Sequence, residues 1–211
     1  MHQSVSRSVV PSLIASAFVS AASAAVSTAN YAPCGSTEGL GSFRASVVYD
    51  HGGGTSATLT IALLNDTGPG LGGFITGLAL NGGMGVTSMS FVTCDNRSFD
   101  GLSAPVSAAP YGDFMVGAAI GSSWIGGGNP AAGISVGTTT TFVFTMVGSA
   151  VDLAMLTAED CLGGEGYAMA VRFRGGIGGW SDKVVGCAQP APGAVAMLAA
   201  AGLVGSRRRL R

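Results

Sequence analysis

At 211 residues the chain has room for one domain with a sizeable core, and ten Lys and Arg against eleven Asp and Glu leave it close to neutral. Only 10% of its residues are charged while 35 are glycine, which excludes coiled coils and long charged helices and favours short elements joined by turns. Half of the cations (Arg7, Arg207, Arg208, Arg209 and Arg211) lie near the two ends and every acid lies between them, so the central body is acidic and offers nucleic acid no basic surface.

Residues 1–24 read as a secretory signal peptide. Arg7 supplies the positive n-region, Val9 to Val19 an apolar h-region, and Ala22-Ser23-Ala24 a small-x-small cleavage site. Cutting by signal peptidase near Ala25 is expected, leaving a body over 25–188. Export sets how the cysteines are read. Cys34, Cys94, Cys161 and Cys187 all fall in the body, and an even count in an oxidising compartment favours disulfides. Of the possible pairings we favour Cys34–Cys187, tying the ends of the domain, with Cys94–Cys161; free buried thiols are the alternative for one pair. No CxxC spacing occurs and the body holds a single histidine, His51, so structural zinc is not expected.

Through the body, period-two alternation recurs. Strands are expected over 43–49, 58–64, 74–80, 86–93, 113–119, 141–147, 151–156, 167–174 and 182–186. Leu59, Ile61 and Leu63 share a face, as do Phe142, Phe144 and Met146; Tyr167, Met169, Val171 and Phe173 point inward, with Arg172 and Arg174 outward. Glycine-rich turns such as His51–Gly54 and Asn65–Gly73 separate the runs. Only Thr157–Asp160 reads as helical, with a cap-like Thr and an Asp three residues on. This pattern predicts an all-β fold, an antiparallel β-sandwich of two facing sheets. With no crossover helix, a doubly wound α/β sheet is disfavoured.

The inventory for catalysis is thin, and no enzyme is expected. His51 sits in a glycine-rich turn and is read as solvent-exposed. Gly133-Ile-Ser-Val-Gly137 fits the Gly-x-Ser-x-Gly elbow in letters, but a Thr-rich strand follows where a helix is needed, and His51 precedes Ser135. Gly68–Gly73 fits G-x-G-x-x-G but leads into a strand, so it is taken as a hairpin loop. Asp95, Asn96 and Asp100 offer oxygen ligands for Ca²⁺ within one loop, with Asp113 or Asp182 as distant helpers. The competing reading is an Asx-turn. Glu159-Asp160 and Asp95/Asp100 are the nearest carboxylate pairs for glycoside hydrolysis, without an aromatic cleft pattern beside them. Trp124 and Trp180 lie beside glycine-rich loops; together they could stack a sugar, and singly they would plug the core.

At the far end, Pro190, Ala191 and Pro192 lead into the apolar run Gly193–Ser206, and Arg207, Arg208, Arg209 and Arg211 close the chain. The run is shorter than the about 20 residues of a stable span. It reads as a temporary membrane helix whose arginines stay cytoplasmic. Residues 189–211 resemble the PEP-CTERM sorting signal of Gram-negative bacteria, with Ala191 where that motif carries Glu. The resemblance implies recognition by an exosortase-like transpeptidase and passing inner-membrane contact. Gly73–Leu80, Trp124 with the Gly128–Ile134 loop, Thr138–Phe144, Val171–Gly175 and Asp182-Lys183-Val184 resemble a recurrent ectodomain of the same family. That resemblance implies a cohesin-like jelly-roll sandwich at the cell surface or in the extracellular matrix. The role expected is structural or adhesive, toward extracellular polysaccharide or other surface proteins. A carbohydrate-binding module and a secreted hydrolase are the alternatives.

Overall fold

A computed structural model describes residues 25–190 apart from residue 165. The expected signal segment 1–24, and Ala191, Pro192, the apolar run and the arginines of the expected sorting tail, lie outside the described residues. Among the described residues, no helix is long and apolar enough to cross a membrane.

The strands are β1 (Ala25–Ser36), β2 (Phe43–His51), β3 (Ser56–Asn65), β4 (Gly72–Leu80), β5 (Val86–Cys94), β6 (Phe99–Leu102), β7 (Val106–Ser107), β8 (Asp113–Phe114), β9 (Val116–Ile120), β10 (Ile134–Ser135), β11 (Thr139–Gly148), β12 (Met169–Gly176) and β13 (Asp182–Gln189), with one helix, α1 (Ala150–Met155). All pairings are antiparallel. One hydrogen-bonded path runs β5-β11-β3-β2-β1-β13-β12-β4-β9-β6. It folds over at β1, which pairs with β2 through Ala25–Tyr31 and with β13 through Asn30–Ser36. A bulge between Pro33 and Gly35 marks the corner. The two halves face each other like a sandwich: Phe99 of β6 meets Phe142 of β11 edge-on, with centroids 5.1 Å apart.

Alternation builds the core. Phe43, Ala45, Val47 and Tyr49 from β2 and Leu59, Ile61 and Leu63 from β3 are buried. They meet Phe142, Phe144 and Met146 from β11 and Met169, Val171 and Phe173 from β12 in one cluster. Each large side chain there contributes about 1.5–3 kcal/mol by leaving water. In β4 the parity changes. Its register with β12 slips between Arg172↔Gly77 and Phe173↔Ile75. The extra residue turns Ile75, Leu78 and Leu80 to the main core and Ala79 to the opposite face. Ala79, Ala170 and Val185 on that outer face are covered by Val106, Ala108, Phe114 and Trp124 in a second cluster. The back half is thus buried on both faces, which is why β9 is buried at every position.

Helix α1 closes one end. Tyr49 donates its hydroxyl to the Leu153 carbonyl at 2.7 Å, and Tyr31 donates to the carbonyls of Ala158 (3.0 Å) and Glu159 (2.9 Å). Burial pushes both phenols up, Tyr49 to about 12.

Several expectations are corrected. Residues 151–156 are not a strand: Ser149 caps α1, accepting from the Asp152 amide at 3.1 Å. Ser149-x-x-Asp152 is the capping signal that forms, whereas Thr157–Asp160 forms only a turn. Loop 66–71 is no hairpin, because β3 and β4 belong to different halves. Tyr167 precedes β12 and is 41% exposed. His51 is fully buried: β2 runs further than expected, and His51 continues the inward parity of Val47 and Tyr49. β1 corresponds to none of the expected strands.

Candidate functional site

The segment covering the back half also shapes a cavity. The chain leaves β6 at Leu102, forms the small β7–β8 hairpin, and returns after β9 through Gly121–Gly128. Between these passages lies a space of about 280 Å³, walled by Leu102, Pro105, Val106, Trp124 and Ile125 and rimmed by Ser103, Ser107, Ser122 and Ser123. No titratable side chain lines it. Trp124 is only 4% exposed, while Ile125 beside it is 64% exposed.

Local sequence explains how Trp124 gets there. A Cβ built on Gly77 would lie 3.1 Å from Cε3 and Cζ3 of the indole, so the glycine lets that ring edge press onto β4. Nε1 is on the other edge of the ring. It is buried and has no hydrogen-bond partner in the protein. Buried donors left unmatched are uncommon and cost about 1–3 kcal/mol. Trp180 is placed differently. It tilts against Phe173 at 6.4 Å, and its Nε1 donates to the Leu71 carbonyl at 2.9 Å. The two indoles pack with different clusters, Trp124 over the outer face and Trp180 beside the main core.

The other candidate residues are dispersed. Ser135 pairs in β10 with Phe74, and its Oγ lies 3.2 Å from Thr138 Oγ1. That is the Asn65 end of β3, which aligns with Phe43; His51 closes the opposite end of β2, about 26 Å away along the strand. In the acidic loop, Asn96 Oδ1 accepts from the Ser98 amide (3.0 Å) and Asn96 Nδ2 donates to the Ala132 carbonyl (2.9 Å). Asp95 accepts from the Thr141 amide at 3.3 Å, and Asp100 lies on β6 opposite Ala119. Asp160 accepts from the Thr157 hydroxyl of its own turn. Among the described residues, no three or more His, Cys, Asp or Glu side chains are grouped to hold a metal.

Asp182 is the residue whose role was least foreseen. It is 1% exposed. Oδ1 accepts from Thr37 Oγ1 (2.8 Å) and from the amides of Lys183 (2.7 Å), Glu38 (3.0 Å) and Thr37 (3.2 Å). Oδ2 accepts from Ser36 Oγ (2.7 Å) and from the amides of Leu40 and Gly41 (2.9 Å each). Gly39, at φ 71°, supplies the left-handed step that aims those last two amides inward. Burial alone would raise this carboxyl. The Gly41 amide, the Ser36 hydroxyl, the Leu40 amide and the Thr37 hydroxyl outweigh it and hold the group at about 2.

Cys34 and Cys187 form a disulfide. The expected partner bridge is absent, and Cys94 and Cys161 are free thiols. They sit at opposite ends of β5. Cys161 accepts the Gly83 amide just before Val86, whereas Cys94 ends the strand about 26 Å on. A disulfide needs Cα atoms within about 7 Å. Burial pushes the Cys161 thiol up to about 12, and Cys94 is also raised, chiefly by burial, though it is only part-buried. Alkylation of the folded, unreduced protein should therefore label Cys94 slowly and Cys161 only after denaturant is added. Labelling of neither thiol after denaturation would mean that a second bridge exists.

No protein-family model, no curated protein and no solved structure matches this chain.

Proposed function

We propose that the chain is an exported, non-catalytic surface protein whose jelly-roll sandwich, of the cohesin type, makes structural or adhesive contacts outside the cell. Its amino-terminal segment is the export signal, and Pro190-Ala191-Pro192 with the following apolar run and arginines is the sorting tail of the PEP-CTERM kind, read by an exosortase-like transpeptidase.

The observation that carries this reading is the Cys34–Cys187 bridge, which spans a sequence separation of 153. Such bridges persist in oxidising compartments and are rare in reducing ones. It also stands close to the proposed processing point: Gln189, the residue before Pro190, is still paired with Asn30 of β1. The sorting tail therefore leaves from a strand fixed covalently to the fold. The serine-rimmed hollow beside Trp124 has no titratable lining, so it lends no support to acid–base chemistry there.

Mass spectrometry of protein extracted from the native cell surface tests the reading. The expected species begins near Ala25, is cut or modified near Pro190, and carries a Cys34–Cys187 peptide pair. A full-length, reduced chain recovered from the cytosol overturns it.

A further inference from the structure

We propose that the link between fold and sorting tail is too short for the domain to stand upright on the membrane, so that the outer face of β1, β2, β3 and β11 lies on the phospholipid surface while the tail is inserted. This rests on the sorting-tail reading above and adds to it the face that meets lipid.

Lengths exclude the upright arrangement. Gln189, paired with Asn30, is the last residue of β13, and only Pro190, Ala191 and Pro192 separate it from the apolar run that begins at Gly193. Four residue steps, fully extended, reach about 14 Å. The run has no length to lend: as a helix, Gly193–Ser206 would cover about 21 Å of a hydrocarbon core about 30 Å thick. The fold, however, continues past Gln189. β1 runs on from Asn30 to Ala25, still paired with β2 up to His51, which is about 17 Å of strand. The headgroup layer adds about 6 Å before hydrocarbon is reached. With the α1 end down, about 14 Å of chain would have to bridge about 23 Å. The surface around Gln189 must face the membrane instead.

Two faces adjoin Gln189. The outer face of the back half is covered by the layer that holds Val106, Ala108, Phe114 and Trp124, so leaving on that side lengthens the path. On the other side Gln189 borders a shallow hollow with Asn30, Ser46, Ala62 and Thr139, on the outer face of the front strands. Charge selects the same face. Across the outward positions of β1 as far as Ala32, and of β2, β3 and β11, only Arg44 and Asp50 are charged, and Arg44 is paired with Asp66 at 2.8 Å. Val26, Val48, Leu64 and Val143 stand there among Thr, Ser and Ala, so little charge has to be desolvated against the headgroups. The α1 end presents Asp152, Glu159 and Asp160, all exposed, which anionic lipid repels. The face needs no strong affinity of its own, because a short tether holds it at an effective concentration of about millimolar.

The test uses the signal-processed chain, residues 25–211, reconstituted through its tail into vesicles of phosphatidylethanolamine and phosphatidylglycerol. Beside it stands a variant with about twelve Gly and Ser residues inserted between Pro192 and Gly193, which adds about 20 Å of reach and leaves the fold untouched. Hydroxyl-radical footprinting reads side-chain exposure in both. Val26, Val48 and Leu64 should be oxidised about threefold more slowly with the native linker than with the long one, as for a face docked about two-thirds of the time. Met84 and Met155, 86% and 78% exposed at the α1 end, should react equally in the two chains.

Protection of Met84 and Met155 in place of the front face means an upright domain and overturns the proposal. So does equal oxidation of Val26, Val48 and Leu64 in the two chains. Failure of the tail reading is separable. A chain that does not float with the vesicles loses the sorting tail and this face with it. A chain that floats with its front face open loses the face alone.

Discussion

Replacing Asp182 with Asn should lower the unfolding free energy by about 3–5 kcal/mol, measured by denaturant titration. The carboxylate is buried and surrounded only by donors, drawn from Ser36, Thr37, Glu38, Leu40, Gly41 and Lys183. An Asn side chain would turn an NH₂ group toward amides that also donate, so several lose their acceptor together. The segment from Ser36 to Gly41 would then come loose from the start of β13. Acid should do part of the same work on the wild-type protein. The folded carboxyl sits at about 2 against an ordinary 3.8, so the unfolded chain takes up the proton first as pH falls. Its contribution is intact above about pH 4 and is lost as pH drops toward 2, a change of about 2 kcal/mol. In Asp182→Asn this part of the pH dependence should vanish. Asp50→Asn, on the exposed face of β2, is the control and should change stability by less than about 0.5 kcal/mol. A cost below about 1 kcal/mol for Asp182→Asn would mean the surrounding donors are satisfied without it.

The sandwich was legible wherever a strand buries one face and the alternation is unbroken. β2, β3 and β11 fit that description, and their inward residues were read from parity. β1 was not legible because its reason for being a strand is remote. It offers the main core only Ala29 and Tyr31, and it is extended because β2 and β13 flank it, far off in sequence. The outward turn of Ala79 could not be read because a bulge reverses the parity of β4 part-way along. α1 was missed because Val151, Leu153 and Met155 alternate as a strand would, while the deciding signal was the polar pair Ser149 and Asp152. At the site, Trp124 stood out as one of two tryptophans, but its serine rim did not. Ser107 lies on β7, Ser103 in the loop before it, and Ser122 and Ser123 in the loop after β9, segments that only the fold brings together. Asp182 was noticed as an oxygen donor for calcium; that it is encircled by backbone amides is a property of the folded loop, with no trace in residue spacing.

Removing the bridge, by Cys34→Ala with Cys187→Ala or by reductant, should cost about 4 kcal/mol and lower Tm by about 10 °C. Loop-closure entropy for a separation of 153 gives about 5 kcal/mol as an upper figure. The location adds a structural reason. Cys34 is the residue that interrupts the β1–β13 register, between Pro33↔Gly186 and Gly35↔Val185. The covalent link therefore stands where the backbone ladder of the corner is broken, and the Asp182 clamp stands just beyond it, at the Ser36 end of the same pairing. The same end of the pairing is held by a bond that depends on redox state and, beside it, by a charge that depends on pH. Removing both should be less harmful than the sum of the separate losses if they hold the same corner, and additive if they act independently. Wild-type protein with and without reductant supplies the decisive comparison, with a Cys94→Ala variant as control for the free thiol. An unchanged Tm on reduction would detach the bridge from stability. A loss of the expected size means that the fold reaches full strength only where the thiols stay oxidised, as the export proposed above would require.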